Sequence, residues 1–255
     1  MLTETKLFLN EMVEKYNSPD FILNDPISIP HQFKRKEDIE ISGFFTAIFS
    51  WGQRKIIILK SLELMNRMDN NPYEFITNAK ENDLKQLKGF NYRTFNETDL
   101  LTIVNALKMI YLYQEGLENI FTLGFQENGA VGGISKLNDT IFSYPHLPHS
   151  RKHIANPITG SAAKRLNMFL RWMVRSDDKG VDFGLWNQIN QSDLVCPLDI
   201  HSGNTARILG ILSRTTNDWK AAMELTQNLR KFDHLDPVKY DFALFGLGVS
   251  GYFND

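Results

Sequence analysis

A chain of 255 residues with 42% hydrophobic and 23% charged residues has an ordinary globular composition, long enough for one large domain or two small ones. Its formal net charge of −2 at pH 7 argues against a protein that coats nucleic acid by bulk charge, and no apolar run reaches the roughly 20 residues needed to span a bilayer. The single cysteine, Cys196, excludes an intrachain disulfide and a four-cysteine iron–sulfur cluster, and suits a cytoplasmic protein.

The first stretch, MLTETKLFLNEMVEKYNS, lacks a basic lead, a continuous apolar run and a small-residue cleavage site, so it reads as a helix and not as a signal peptide. Leu7, Phe8, Met12 and Val13 give it a helical period. Pro26 and Pro30 break the loop from Pro19 to Lys36. Ile39 to Met68 is too long and too apolar for a surface helix. It divides into a buried helix to about Phe49, a break at Trp51-Gly52-Gln53, and a second helix from about Arg54. Short helices are expected over Pro72 to Ala79 and Glu81 to Leu87. Asn96-Glu97-Thr98-Asp99 has N-cap character and opens a strong helix with a broad apolar stripe. Gly129 to Gly133 reads as a turn and Ile134 to Phe142 as a short helix.

Tyr144 to Thr159 is irregular and proline-rich. A helix from Lys164 to about Arg175 follows, then a short one at Leu185 to Ile189, then one starting at Asp199. Asn217 to Phe232 is amphipathic, with Asp218 as its cap. Asp236-Pro237 opens the last helix, which is expected to run to about Gly246. With no strand pair or internal repeat, the chain reads as all-α, with ten to twelve helices.

Four constellations carry chemistry. Lys164 stands in the first turn of its helix, where the helix dipole and the neighbouring Arg165 both work against a charged ammonium. A neutral amine is what a nucleophilic lysine requires. Taken alone, such a lysine is most simply an exposed surface residue. Asp199 in PLDIHSGNTARILGI is an ordinary N-cap, but a capping carboxylate is also held rigidly, as a catalytic group must be. The polar break Ser50-Trp51-Gly52-Gln53 between two apolar helices could present Trp51 and Gln53 to a nucleic-acid base, or bury Trp51 in the core. From His146 to Ser176 six basic residues (Arg151, Lys152, Lys164, Arg165, Arg171, Arg175) occur with no Asp or Glu, a pattern suited to phosphate contact or to a solvated basic face. His146, His149 and His153 have tempting ligand spacing, but no carboxylate or cysteine lies close in sequence to complete a zinc site, so no metal is expected.

Together these residues resemble the helix-hairpin-helix (HhH-GPD) DNA glycosylases, the endonuclease III superfamily. Pro197-Leu198-Asp199-Ile200-His201 is similar to that family's P-V-D-x-H segment, and Arg207-Ile208-Leu209-Gly210 to the end of its R-x-x-x-R-L-G segment. Gly160-Ser161-Ala162-Ala163-Lys164 keeps the family's four-residue step from hairpin glycine to lysine, although the family's hairpin has two glycines. The separation of 35 residues between Lys164 and Asp199 and the closing DPVKYDFALFGLG resemble a bacterial group near the archaeal 8-oxoguanine glycosylases.

The resemblance implies two helical subdomains with a cleft between them: approximately 39–143 as the barrel-like part, and 1–38 plus 144–255 carrying the hairpin and the Lys/Asp site. It implies a monomer that binds double-stranded DNA and removes an oxidised purine, with AP lyase activity and without an iron–sulfur cluster or other cofactor. Lys164 and Asp199 would be catalytic. Gln53, Trp51, Gly160, Ser161, Arg165, Arg171, His201 and Trp172 would contact DNA or the base, with Phe49 a further stacking candidate. The alternatives are a catalytically silent DNA-binding protein on the same scaffold and a helical protein–protein adaptor.

Overall fold

A computed structural model describes residues 2–253. Twelve α-helices and several single 3₁₀ turns account for its regular structure, and among the described residues the only β-type pairing is two isolated bridges. No helix among them is long and apolar enough to cross a membrane. The chain divides into two compact units, one of residues 24–156 and one of residues 1–23 plus 157–255.

The unit of residues 24–156 is built around α3 (Lys36–Phe49). Every residue of this helix from Asp38 onward is buried, as its all-round apolar sequence requires. Its two buried acids are satisfied: Asp38 Oδ1 accepts the Tyr73 backbone N–H at 2.9 Å, and Glu40 Oε2 accepts the Tyr111 hydroxyl at 2.7 Å. The helix stops at Ser50, whose hydroxyl turns back to the Thr46 carbonyl at 2.8 Å, and Gly52 takes a φ of 135° that reverses the chain into α4 (Arg54–Arg67). The Ile56-Ile57-Ile58 run is therefore helical. Short helices α5 (Pro72–Asn78) and α6 (Glu81–Leu84) follow.

Next, α7 (Glu97–Tyr113) starts in a complete capping box between Asn96 and Asp99. Phe49 ends α3 inside a ring of Phe90, Tyr92 and Phe95, with centroids 5.2–5.6 Å away. It lies in the core and presents no face for stacking on a base. The turn expected at Gly129 to Gly133 is narrower than its glycines suggest. Within α8 (Gly116–Ile141) only Asn128 and Gly129 leave helical angles. Gly132 instead serves close packing across this kink, where a Cβ would run into the Gly124 carbonyl.

This unit begins and ends outside the expected 39–143. Ile27 and Ile29 of the proline-rich entry are fully buried in 3₁₀ turns that pack on α3, and the Pro148–His153 turn is bonded to Asp99 on α7. Both segments therefore belong with the helices they contact.

The other unit begins with α1 (Leu2–Tyr16) and α2 (Pro19–Leu23), and continues after residue 156 with α9 (Lys164–Val174), α10 (Ile200–Ile208), α11 (Trp219–Arg230) and α12 (Tyr240–Ser250). Its centre is α12, which packs on α1 and α10. Gly246 lies under the Tyr16 ring and Gly248 against His201, where a Cβ would collide or press at 2.9 Å.

Leu166 to Val174 are all buried, including Arg171. No helix forms at Leu185 to Ile189. The chain leading into and through that segment lies alongside the end of α9, the Phe183 N–H donating to the Trp172 carbonyl (2.8 Å) and the Trp186 N–H to the Met173 carbonyl (2.9 Å). Its backbone donors thus satisfy carbonyls that the end of α9 would otherwise leave open. The last helix likewise differs from expectation. Asp236-Pro237 opens a 3₁₀ turn, and α12 proper runs from Tyr240 to Ser250.

Candidate functional site

The connection before α9 is a 3₁₀ turn at Pro157–Thr159, then Gly160 at φ 90° and Ala163 at φ 47°, both left-handed. Its single glycine sits where the backbone turns over. Ala163 takes the second left-handed position despite its Cβ, at some cost in local strain. The turn is held from outside. The Gly160 carbonyl accepts the Trp219 N–H at 3.0 Å, and Ser161 forms a bridge with Asp218 at the start of α11. Asn167 reaches back one turn to the Ala162 carbonyl at 3.0 Å. This fixes Lys164 as the first residue of α9.

Asp199 is the N-cap of α10, as its sequence predicts. Its Oδ1 accepts the Ser202 N–H at 3.0 Å, and the Ser202 hydroxyl accepts the Asp199 N–H at 2.9 Å. With Oδ1 committed to the cap, Oδ2 is turned toward Lys164, 3.8 Å from Nζ. The two side chains remain 25% and 24% exposed, so a ligand can reach them. The lysine and the aspartate, 35 residues apart in sequence, therefore meet as an ion pair at the starts of two helices.

Beneath them lies a charge network that sequence reasoning did not find. Arg171 Nη1 bonds Asp241 and Arg171 Nε bonds Asp182 at 3.2 Å. Arg175 bonds Asp182 at 3.0 Å, Asp236 at 2.9 Å and Asp177 at 2.7 Å. The Phe242 ring lies under both guanidinium groups, 4.1 and 5.4 Å from its centroid. Burial pushes the Asp241 carboxyl up to about 6. Arg171 works against that rise, and the nearby charge of Asp199 adds to it. The one signal in the sequence was an aspartate inside the otherwise apolar YDFALFGLG.

These contacts correct two expectations. Arg171, 4% exposed on its side chain, is spent on buried carboxylates and offers nothing to DNA. Trp172 is fully buried and cannot stack on a base. Of the others in this unit, Gly160, Ser161 and His201 are exposed, and Arg165 is half-buried one residue after Lys164. His201 turns its ring edge to Phe245 at 6.3 Å. In the other unit, Gln53 is exposed and makes no side-chain cap on α4. Trp51 is half-buried, with the Arg93 guanidinium 4.2 Å over its ring.

A pocket of about 450 Å³ opens between α1 and the loops around Asp177 and Asp236, lined by Asn17, Arg175 and Lys179 among others; Lys164 and Asp199 do not line it. Among the described residues no group of three His, Cys, Asp or Glu side chains could hold a metal ion.

The model of the family described as "Protein of unknown function (DUF2400)" matches residues 25–250, most of the chain and all of the site above. The chain belongs to the DUF2400 family. Comparison with curated proteins and with solved structures returns no match. In this DUF2400 protein the site is therefore defined by its own chemistry: an accessible amine, a carboxylate with one oxygen pinned and the other facing that amine, and a buried arginine–aspartate layer below.

Proposed function

We propose that this protein is a DNA base-excision glycosylase with AP lyase activity, built on a scaffold of the HhH-GPD type and acting on an oxidised purine such as 8-oxoguanine. The observation that carries the reading is the 3.8 Å approach of Lys164 Nζ to Asp199 Oδ2 at two helix starts, reached through a glycine turn. A lone surface lysine needs no such partner, and an N-cap aspartate needs only its one capping oxygen.

In the proposed reaction Asp199 takes the ammonium proton of Lys164, and the neutral amine attacks C1′ of an extruded nucleotide. The glycosidic C1′–N bond breaks, its electron pair leaving with the base, which takes the proton that Asp199 received and so returns Asp199 to its carboxylate. The Asp199 carboxylate stabilises the positive charge that develops on the sugar. Opening of the sugar ring at C1′ then leaves a Schiff base on Lys164. Loss of a C2′ proton expels the 3′ phosphate by β-elimination and nicks the strand. The exposed Gly160–Ser161 turn and Arg165 supply phosphate contacts near the site, and Gln53 and Trp51 supply contacts to the bases.

The test is borohydride trapping on a duplex carrying 8-oxoguanine, comparing the natural protein with Lys164→Gln. A covalent adduct formed by the first and absent in the second is expected. Equal nicking by both proteins would refute the lysine assignment. Tight DNA binding with no adduct on any lesion would favour a silent DNA-binding protein on the same scaffold.

A further inference from the structure

The histidine-rich segment has a use that metal binding does not explain. Asp99, fully buried at the start of α7, accepts the Asn96 N–H at 3.0 Å within its capping box. The same carboxylate accepts the Ser150 hydroxyl at 2.6 Å, with His149 Nε2 3.2 Å from Oδ1 and His153 Nε2 3.2 Å from Oδ2. His153 is itself buried, its ring edge-on to Phe95 at 4.9 Å. Burial of Asp99 works against its charge, but these donors outweigh it and hold the carboxyl below its ordinary range.

The 3₁₀ turn Pro148–His153 is therefore bolted to α7. In a 3₁₀ turn, positions i and i+3 share a face, so Ser150 and His153 point inward together. Arg151 and Lys152, between them, are exposed. His146 holds the arginine. Its Nδ1 donates to the Tyr144 carbonyl at 2.8 Å, which leaves Nε2 to accept the Arg151 Nε–H at 3.0 Å. The guanidinium lies 5.0 Å from the centre of the Phe142 ring. Neither Nη group of Arg151 nor the Lys152 amine has a protein partner among the described residues, and no acidic residue occurs between positions 140 and 176.

We infer that the Pro148–His153 turn grips the phosphodiester backbone of duplex DNA through Arg151 and Lys152, with His149, Ser150 and His153 as its anchors on Asp99. The inference deepens the DNA reading above by assigning a second contact, in the unit that does not hold Lys164. A fixed, forked guanidinium beside a point-charge ammonium suits phosphate oxygens. Anionic membrane surfaces are instead recognised by clusters of four to eight basic residues; here there are two.

The experiment measures affinity for an undamaged duplex from about 50 to 200 mM salt. Each phosphate contact contributes about 0.9 to the slope of log K against log salt, so Arg151→Gln/Lys152→Gln is expected to lower the slope by about 1.8. Lys80→Gln/Lys85→Gln, which removes the same charge elsewhere on this unit, is expected to leave the slope unchanged. Asp99→Asn separates anchoring from bulk charge. It makes the protein more positive, yet it should weaken binding because the turn loses its anchor. Its folding is checked by circular dichroism, and the double variant stands independently of it.

A slope unaltered in the Arg151/Lys152 variant, or lowered equally in both doubles, overturns the inference. Asp99→Asn binding as tightly as the natural protein overturns the anchoring role. Because the probe carries no lesion, a slope change without any excision activity sinks the glycosylase reading alone. Excision with an unchanged slope sinks this inference alone.

Discussion

Asn217 holds the backbone of Asp199. Its Nδ2 donates to the Asp199 carbonyl at 3.0 Å, while its Oδ1 accepts Arg207 Nη2 at 2.6 Å. The aspartate is thus tied by its carbonyl to the loop before α11, by its Oδ1 to its own helix, and faces Lys164 with what remains. Gly203 leaves room for this arrangement, since a Cβ there would stand 2.9 Å from Asn217 Oδ1.

Asn217→Ala should therefore act on the site more than on the fold. The bond is exposed, so its loss is expected to cost about 0.5–1.5 kcal/mol of stability. Borohydride trapping should slow by about tenfold, the result of roughly 1.4 kcal/mol of lost positioning. Asn217→Asp keeps an acceptor for Arg207 but loses the donor to Asp199, and should be impaired similarly. An unaltered trapping rate in both variants would show that the cap alone positions Asp199.

Asp241 should leave a signature in the pH dependence of stability. Its carboxyl is raised to about 6 in the folded protein from an ordinary value of 3.8, so between those pH values the folded state holds a proton that the unfolded state has lost. Stability contributed by this group is present below about pH 4 and is lost as pH rises through about 6. At 1.36 kcal/mol per unit the loss is on the order of 3 kcal/mol. Asp241→Asn cannot titrate. Relative to this variant, the natural protein should lose stability between pH 4 and 6 in urea unfolding, and parallel profiles would contradict the assignment.

Gly52 is the hinge of the Trp51 turn. Its φ of 135° is closed to side chains, and a Cβ would stand 2.7 Å from Arg93 Nη1 and 2.9 Å from the Tyr92 hydroxyl. Both of these groups donate to the Trp51 carbonyl at 2.8 Å. Gly52→Ala is expected to cost about 1–3 kcal/mol in backbone strain and to loosen these two bonds. A thermal melt measures the cost, and tryptophan fluorescence reports on the ring under Arg93. A melting temperature equal to that of the natural protein would mean that the turn has another conformation available.

By itself the sequence determined the features that depend on near neighbours. The all-α class, the break at Trp51-Gly52-Gln53, the caps at Asn96, Asp199 and Asp218, and Lys164 at a helix start were all legible in it. Apolar periodicity and capping act within a turn or two of the chain. The tertiary structure decided which charges meet. Arg171 belongs to a basic stretch that itself contains no acid, yet it pairs with Asp182 just beyond that stretch and with Asp241, 70 positions away, and so is buried instead of facing solvent.

His153 in the same way finds Asp99, 54 positions away. Leu185 to Ile189 has helix-compatible residues, but its Trp186 N–H, like that of Phe183 just before it, serves the end of α9. An ion pair or a carbonyl left open at a helix end is satisfied by whatever packing brings within about 3 Å. That choice lies in the fold, because no local pattern records which distant carboxylate will arrive.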